Sequence, residues 1–420
     1  MSLSIHHLRR ARVASLGLVA TIAACDCRGD RAASDPDGIP IGGWYRAEVR
    51  AEGGEVVPFF VALPADHQSA SARIVNGAQE VVAEHAWSGV HMDLEFPVLR
   101  THIEAGAGEG GALEGSIHHE SLALGDSKLS FTAEPVNEPD PEARFLFEGD
   151  APTEIATNWR LTFDDTGDAQ LSLTRSGDSA VEGLLRLDNG NAIYLAGNRR
   201  GDTLRLSGFD GSSAYLLDAA VAGDRLEGTW LAGPGLGWRE PITGAAEPRF
   251  EIDVEVSLPP GTHRLPVPEL REEPFAGSPV ILALTGSFNP ASMRAIPFLT
   301  ELYREHRDAG LEILALNYEL SADEAYNDAI AETIAEVYEV PWQLIPVDGT
   351  AEEYLSIVPA GLEGIDVQSF PVLVFIDRDG LVHEVRAGFP PEAASEAHEA
   401  TVADYRELAA AIAGGTGSPP

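Results

Sequence analysis

Gly286-Ser287-Phe288-Asn289-Pro290-Ala291-Ser292 lies where a buried-strand pattern gives way to a helical one. Upstream, Ser278 to Thr285 is a short apolar run of the kind that forms a strand covered on both faces. Downstream, a helical pattern runs to Asp308-Ala309-Gly310, where Gly310 suits the left-handed residue that ends a helix. Leu311 to Asn317 is a second strand pattern, so the spacing predicts one right-handed βαβ unit with parallel strands. Further on, Ser369-Phe370-Pro371 opens an apolar run to Asp377, and Arg378-Asp379-Gly380 turns the chain back into Leu381 to Ala387 as an antiparallel hairpin. Glu392 to Ala413, rich in Ala and Glu with apolar residues at helical intervals, reads as a closing helix.

Taken together these features resemble the thioredoxin fold, and within it the TlpA/ResA-like family of membrane-tethered thiol-disulfide oxidoreductases. That family's signature is a strand, then Gly-Ser-Trp-Cys-Pro-x-Cys opening a helix, a proline inside the helix, and a later strand that begins at a cis-proline. The matching residues here are Gly286, Ser287, Phe288, Asn289, Pro290, Ala291 and Ser292, with Pro297 in the helix and Pro371 after Phe370. The resemblance covers roughly residues 250 to 415. It implies an α/β thioredoxin-like domain in which both redox cysteines have been replaced, one by Asn289 and the other by Ser292.

Disulfide exchange needs one thiolate at a helix N-terminus, stabilised by unpaired N–H groups and the helix dipole, and a second thiol to resolve the mixed disulfide. An amide and a hydroxyl supply neither, so no catalytic residue is expected at these positions. Asn289 is expected to cap the helix with its side-chain oxygen, with Pro290 at the first helical position, where its missing N–H costs nothing. Ser292 reads as a buried, shape-conserving replacement for cysteine, since no nucleophile elbow or neighbouring histidine supports a reactive serine. Phe288, Pro290, Phe370 and Pro371 would flank the vacated site. They form either a cleft for an extended peptide or ordinary core packing.

The only cysteines, Cys25 and Cys27, lie far from this domain. His6 to Arg12 is a basic stretch, Val13 to Ile22 a short apolar one, and Ile22-Ala23-Ala24-Cys25 resembles the bacterial lipobox. The expectation is a signal peptide over 1–24, lipidation of Cys25, and a tether over 25–42 rich in Asp, Ser, Gly and Pro. Such a chain would be exported and held at the cell envelope, on the periplasmic side of the inner membrane or in the outer membrane. The apolar run is too short to span a bilayer.

Between tether and α/β domain, alternating apolar stretches such as Val57 to Leu63, His91 to Phe96 and Asp202 to Ser207 are separated by turns such as Asn76-Gly77 and Asp188-Asn189-Gly190. The region repeats itself. Trp44 and Trp159 each open a strand pattern, and Leu113-Glu114-Gly115 and Leu226-Glu227-Gly228 follow at nearly equal distances. Two β modules, 43–134 and 142–250, are expected as small barrels or sandwiches ahead of the thioredoxin-like domain at 251–420.

The formal charge is −39, and Lys128 is the single lysine. So acidic a surface repels nucleic acid and anionic lipid head groups, which leaves envelope proteins or extended peptides as partners, with the membrane reached through the lipid anchor. No phosphate loop, dinucleotide fingerprint or zinc motif is present, so no cofactor is expected. No metal site is expected either: adjacent residues His118 and His119 would face opposite sides of a strand, and the other histidines look scattered. The residues favour a redox-inactive binding or folding-assistance module. The alternatives are a thiol-disulfide oxidoreductase or peroxiredoxin-like enzyme, with Cys27 as the one available sulfur, and a scaffold or ligand-binding protein in which the β region does the work.

Overall fold

A computed structural model describes residues 33–34, 40–64, 71–88, 90–120, 126–150, 156–164, 167–252, 261, 264–347 and 370–414. The expected signal peptide and both cysteines lie outside the described residues. Two two-residue strands, β1 (Ala33–Ser34) and β2 (Pro40–Ile41), pair ahead of the main body.

Alternation of apolar and polar residues then builds a first meander: β3 (Gly43–Arg50), β4 (Val56–Leu63), β5 (Ser71–Asn76), β6 (Gln79–Ser88), β7 (His91–Phe96), β8 (Thr101–Ala107), β9 (Leu113–His119) and β10 (Ser127–Val136). Every neighbouring pair is antiparallel, and β10 returns to pair with β3, Phe131 opposite Val49. The second meander is β11 (Asn158–Phe163), β12 (Gly167–Arg175), β13 (Ala180–Leu187), β14 (Ala192–Arg200), β15 (Thr203–Phe209), β16 (Ala214–Ala222), β17 (Arg225–Gly233) and β18 (Trp238–Ala246), closed by β11 on β18. Both are closed eight-stranded barrels, not sandwiches. A sandwich leaves edge strands, whereas here the first and last strand of each meander satisfy one another.

The two sequence anchors fall on equivalent strands. Trp44 and Trp159 sit on the first strand of their barrels, and each Leu-Glu-Gly on the seventh. The glycines have a steric reason. A Cβ on Gly115 would lie 1.8 Å from the Glu104 carbonyl oxygen, and one on Gly228 would lie 2.3 Å from that of Asp218. Neighbouring strands approach so closely there that no side chain fits between them.

The barrels share a polar seam. Arg144, between them in sequence, is wholly buried; its Nε donates to Ser207 Oγ at 3.0 Å and its Nη2 to Asn76 Oδ1 and the Ser207 carbonyl, each at 3.1 Å. Burial, which outweighs the pull of Glu182, lowers its pKa to about 9. Asn76 also exchanges two bonds with the Phe209 backbone, and the Phe209 ring stacks on Phe59 at 5.3 Å, within the first barrel's core.

The last domain is a five-stranded sheet built from β19 (Val280–Gly286), β20 (Glu312–Tyr318), β21 (Gln343–Val347), β22 (Val372–Ile376) and β23 (Val382–Ala387), in the order β21-β20-β19-β22-β23. The first three are parallel and the last two antiparallel. Helices α1 (Pro290–His306), α2 (Glu324–Val337) and α3 (Ser395–Gly414) pack on one face through Ile296, Leu299, Ile330, Ile334 and Tyr405. Leu265, Val267 and Phe275 cover the other. The Phe370–Pro371 peptide is cis. Strand order, hairpin and helix placement are thioredoxin-like. The first barrel docks through its β7–β8 turn: Val98 belongs to the helix-side core, and the Arg100 guanidinium lies 4.4 Å above the Tyr326 ring.

Candidate functional site

The end of β19 aims the chain at the start of α1, and local chemistry fixes each residue there. Asn289 has extended backbone, and its Oδ1 accepts from Ala291 N at 2.9 Å and Ser292 N at 3.4 Å, with Pro290 beginning the helix. Two otherwise unpaired donors of the first turn are thereby satisfied. Ser292 is fully buried, and its Oγ accepts the Gly286 N–H at 3.3 Å. His306 stands at the opposite end of α1. Among the described residues, no histidine or carboxylate is bonded to this buried hydroxyl to take its proton.

Phe288 and Phe370 meet edge to face at 6.0 Å, and Phe370 stacks on Tyr318 at 5.6 Å. Phe370 is 3% exposed and belongs to the core on the sheet face opposite the helices; Pro371 is buried beside it, while Phe288 and Pro290 are only partly covered. Of the four residues read from the sequence as flanking the site, Phe288 and Phe370 meet, Pro371 follows Phe370 and Pro290 lines one cavity with Phe288; Phe370 is mostly a packing residue.

A carboxyl group lies directly behind the motif. Glu319 accepts from Ser287 Oγ at 2.7 Å, Ser287 N at 3.2 Å and Asn317 Nδ2 at 2.6 Å, and Asn317 Oδ1 accepts from Thr285 Oγ1 at 3.1 Å. Burial raises the Glu319 pKa above its ordinary value, and the bonds from Ser287 and Asn317 partly offset the rise.

The face that the motif presents is covered by the second barrel. Asn289 Nδ2 donates to Asn191 Oδ1 at 3.3 Å, just past the Asp188-Asn189-Gly190 turn between β13 and β14. On the far side of the site, Gly388 follows β23 with φ +83, and a Cβ added to it would lie 2.3 Å from the Gly190 carbonyl oxygen. The Gly388 N–H donates to the Pro371 carbonyl at 2.8 Å, which holds this loop against the cis-proline strand. One hairpin tip thus touches both walls of the cleft.

A cavity of about 130 Å³ remains under the tip, lined by Asn191, Asp210, Tyr215, Asn289 and Arg294 among others. Asp210 Oδ2 accepts from Tyr215 Oη at 2.7 Å, and its Oδ1 accepts from Ser212 and Ser213. Burial lowers the Arg294 pKa, while attraction to Asp210 opposes that shift; the Arg294 Nη2 donates to the Phe389 carbonyl at 3.4 Å. Sequence reasoning found the turn at Asp188 to Gly190 but not its seat. Asn191, Arg294, Asp210 and Glu319 carry no local signal, because their roles come from contacts between distant parts of the chain.

No family model matches the chain, and no curated protein does. Among solved structures it is similar to a secreted thiol-disulfide isomerase of Corynebacterium glutamicum, with 17% identity over 32% of this chain and 72% of that one and a TM-score of 0.25. A thioredoxin-family thiol:disulfide interchange protein of Chlorobium tepidum gives 13% identity, 33% and 81% coverage, and a TM-score of 0.24. StoA of Bacillus subtilis gives 16% identity, 30% and 85% coverage, and a TM-score of 0.22. Among the described residues no helix is long and apolar enough to cross a membrane.

Proposed function

We propose that this chain is a redox-inactive, polypeptide-binding protein of the cell envelope, exported and anchored through Cys25, in which a thioredoxin-like cleft is retained without its dithiol. The observation that carries the reading is the occupant of the cleft. A polypeptide turn already lies across it, met by the amide of Asn289 on one side and the backbone at Gly388 on the other. A surface that accepts a turn through amide and main-chain contacts suits extended or unfolded envelope polypeptides, with Phe288 as the apolar contact. Asn289 as a helix cap and Ser292 as a buried acceptor account for both replaced positions without any catalytic step.

The test uses the whole chain and a permanently unfolded, reduced and alkylated polypeptide as probe. Binding is expected to be weak in the parent, stronger in Asn191→Ala, where the tip competes less well, and lost when Phe288→Ala is added. A parent and an Asn191→Ala variant that both fail to bind, or binding that ignores Phe288→Ala, would sink the proposal. Insulin reduction by the parent would return the chain to the enzymes.

A further inference from the structure

The outer wall of the first barrel brings together residues that look scattered in sequence. Along β8, Thr101, Ile103 and Ala105 point inward, so His102 and Glu104 share the outer face. On β9, Ile117 and His119 are buried and His118 is turned outward; His119 Nδ1 is within 2.9 Å of Thr101 Oγ1 inside. The antiparallel register sets His102 directly opposite His118. Their rings lie 4.8 Å apart and within 2° of parallel. Donor atoms of His102, Glu104 and His118 all fall within 4.8 Å of one another.

We propose that His102, Glu104 and His118 form a three-ligand site for a divalent first-row transition ion, Zn2+ or Cu2+, on the outside of the first barrel. Two imidazoles and one carboxylate are the donor set such ions take, whereas Ca2+ and Mg2+ ask for oxygen alone. Bonds of about 2.0–2.2 Å to one ion require the donors to close to roughly 3.4 Å of each other. Partly or fully exposed side chains reach that by changes of rotamer.

The contacts to be given up are modest: His118 Nε2 to Ser116 Oγ at 2.7 Å, and His102 Nε2 to Glu104 Oε1 at 3.8 Å. Around the three ligands, Glu95 lies opposite His102 and Asp93 opposite Glu104, which attracts a cation; Lys128, opposite His118, opposes it. Three protein donors leave a coordination position to water, so the site is open.

The experiment is titration of the whole chain with ZnCl2, followed calorimetrically, and with CuCl2, followed by electron paramagnetic resonance. The parent should bind one more equivalent than the His102→Ala/His118→Ala double variant, and its copper spectrum should show coupling to two imidazole nitrogens. Glu104→Gln should weaken that equivalent at least about tenfold, the lower end of what supporting residues of metal sites contribute. Lys128→Ala should tighten it. The ligands lie on the surface, so the metal-free melting temperatures of these variants should match the parent's. Equal stoichiometry and affinity in parent and double variant, or a copper spectrum without two coupled nitrogens, overturns the proposal.

Discussion

Gly190, at the tip of a barrel hairpin, and Gly388, in the loop after β23, meet so closely that a Cβ on Gly388 would stand 2.3 Å from the Gly190 carbonyl oxygen. This contact and the Asn191–Asn289 amide bond seat the second barrel on the cleft. Gly388→Ala must both adopt a left-handed backbone and push the tip away. It is expected to cost about 1–3 kcal/mol in denaturant unfolding and to speed amide exchange at Asn191. Unchanged exchange at Asn191 would mean that the tip is held by other contacts.

Introducing a dithiol tests whether the hairpin tip occludes the site. The Asn289→Cys/Ser292→Cys variant places one thiol at the N-terminus of α1, where the dipole and free N–H groups lower its pKa. An internal disulfide should form with a small oxidant, whereas reaction with a protein disulfide should be slow until Gly388→Ala is added. Mass spectrometry after thiol alkylation reads both steps, and equal rates with and without the loosening change would contradict occlusion by the tip.

Glu319 gives a pH dependence with a defined sign. Its folded pKa is raised by burial, so between the ordinary carboxyl value and the raised one the folded chain holds a proton that the unfolded chain has released. Stability from this group is full below that window and is lost as pH rises through the folded pKa. Glu319→Gln keeps an acceptor for Ser287 N and Asn317, so its unfolding free energy should fall less than the parent's over the same rise. Parallel pH profiles for the two proteins would remove Glu319 as the source.

Arg144 ties the barrels together from a buried position. Arg144→Ala leaves Asn76 Oδ1 and the Ser207 carbonyl short of a donor and opens a void at the seam. A loss of about 3 kcal/mol is expected, with the two barrels melting separately in calorimetry. A single unshifted transition would show that the Phe209–Phe59 stack suffices.

Much of the C-terminal domain was legible because its signals are local. Strand runs, the Asn289-Pro290 helix start, the Gly310 stop with φ +86 and the turn at Gly380 are each fixed by a few neighbouring residues. The β region showed its strands and its internal echo, but closure depends on whether the first strand finds the last, which no local pattern encodes. Register hid more. His102 and His118 become neighbours only once β8 and β9 are aligned, and reading His118 with its sequence neighbour His119 pointed away from the pairing that forms. The covered cleft is illegible for the same reason: the motif's residues allow either a peptide cleft or ordinary packing, and the hairpin that lies across them belongs to another domain.

Closure of both barrels also restricts how other chains can join this one. Every strand in a closed ladder already has two partners, so lateral addition of a foreign strand is denied along both β modules. Among the described residues, the sheet margins lie at the short β1–β2 pair and at β21 and β23 of the last domain. β21 carries Pro346, which has no N–H to offer. The architecture therefore leaves strand exchange to the last domain and the short β1–β2 pair, and keeps both barrels out of amyloid-like self-association.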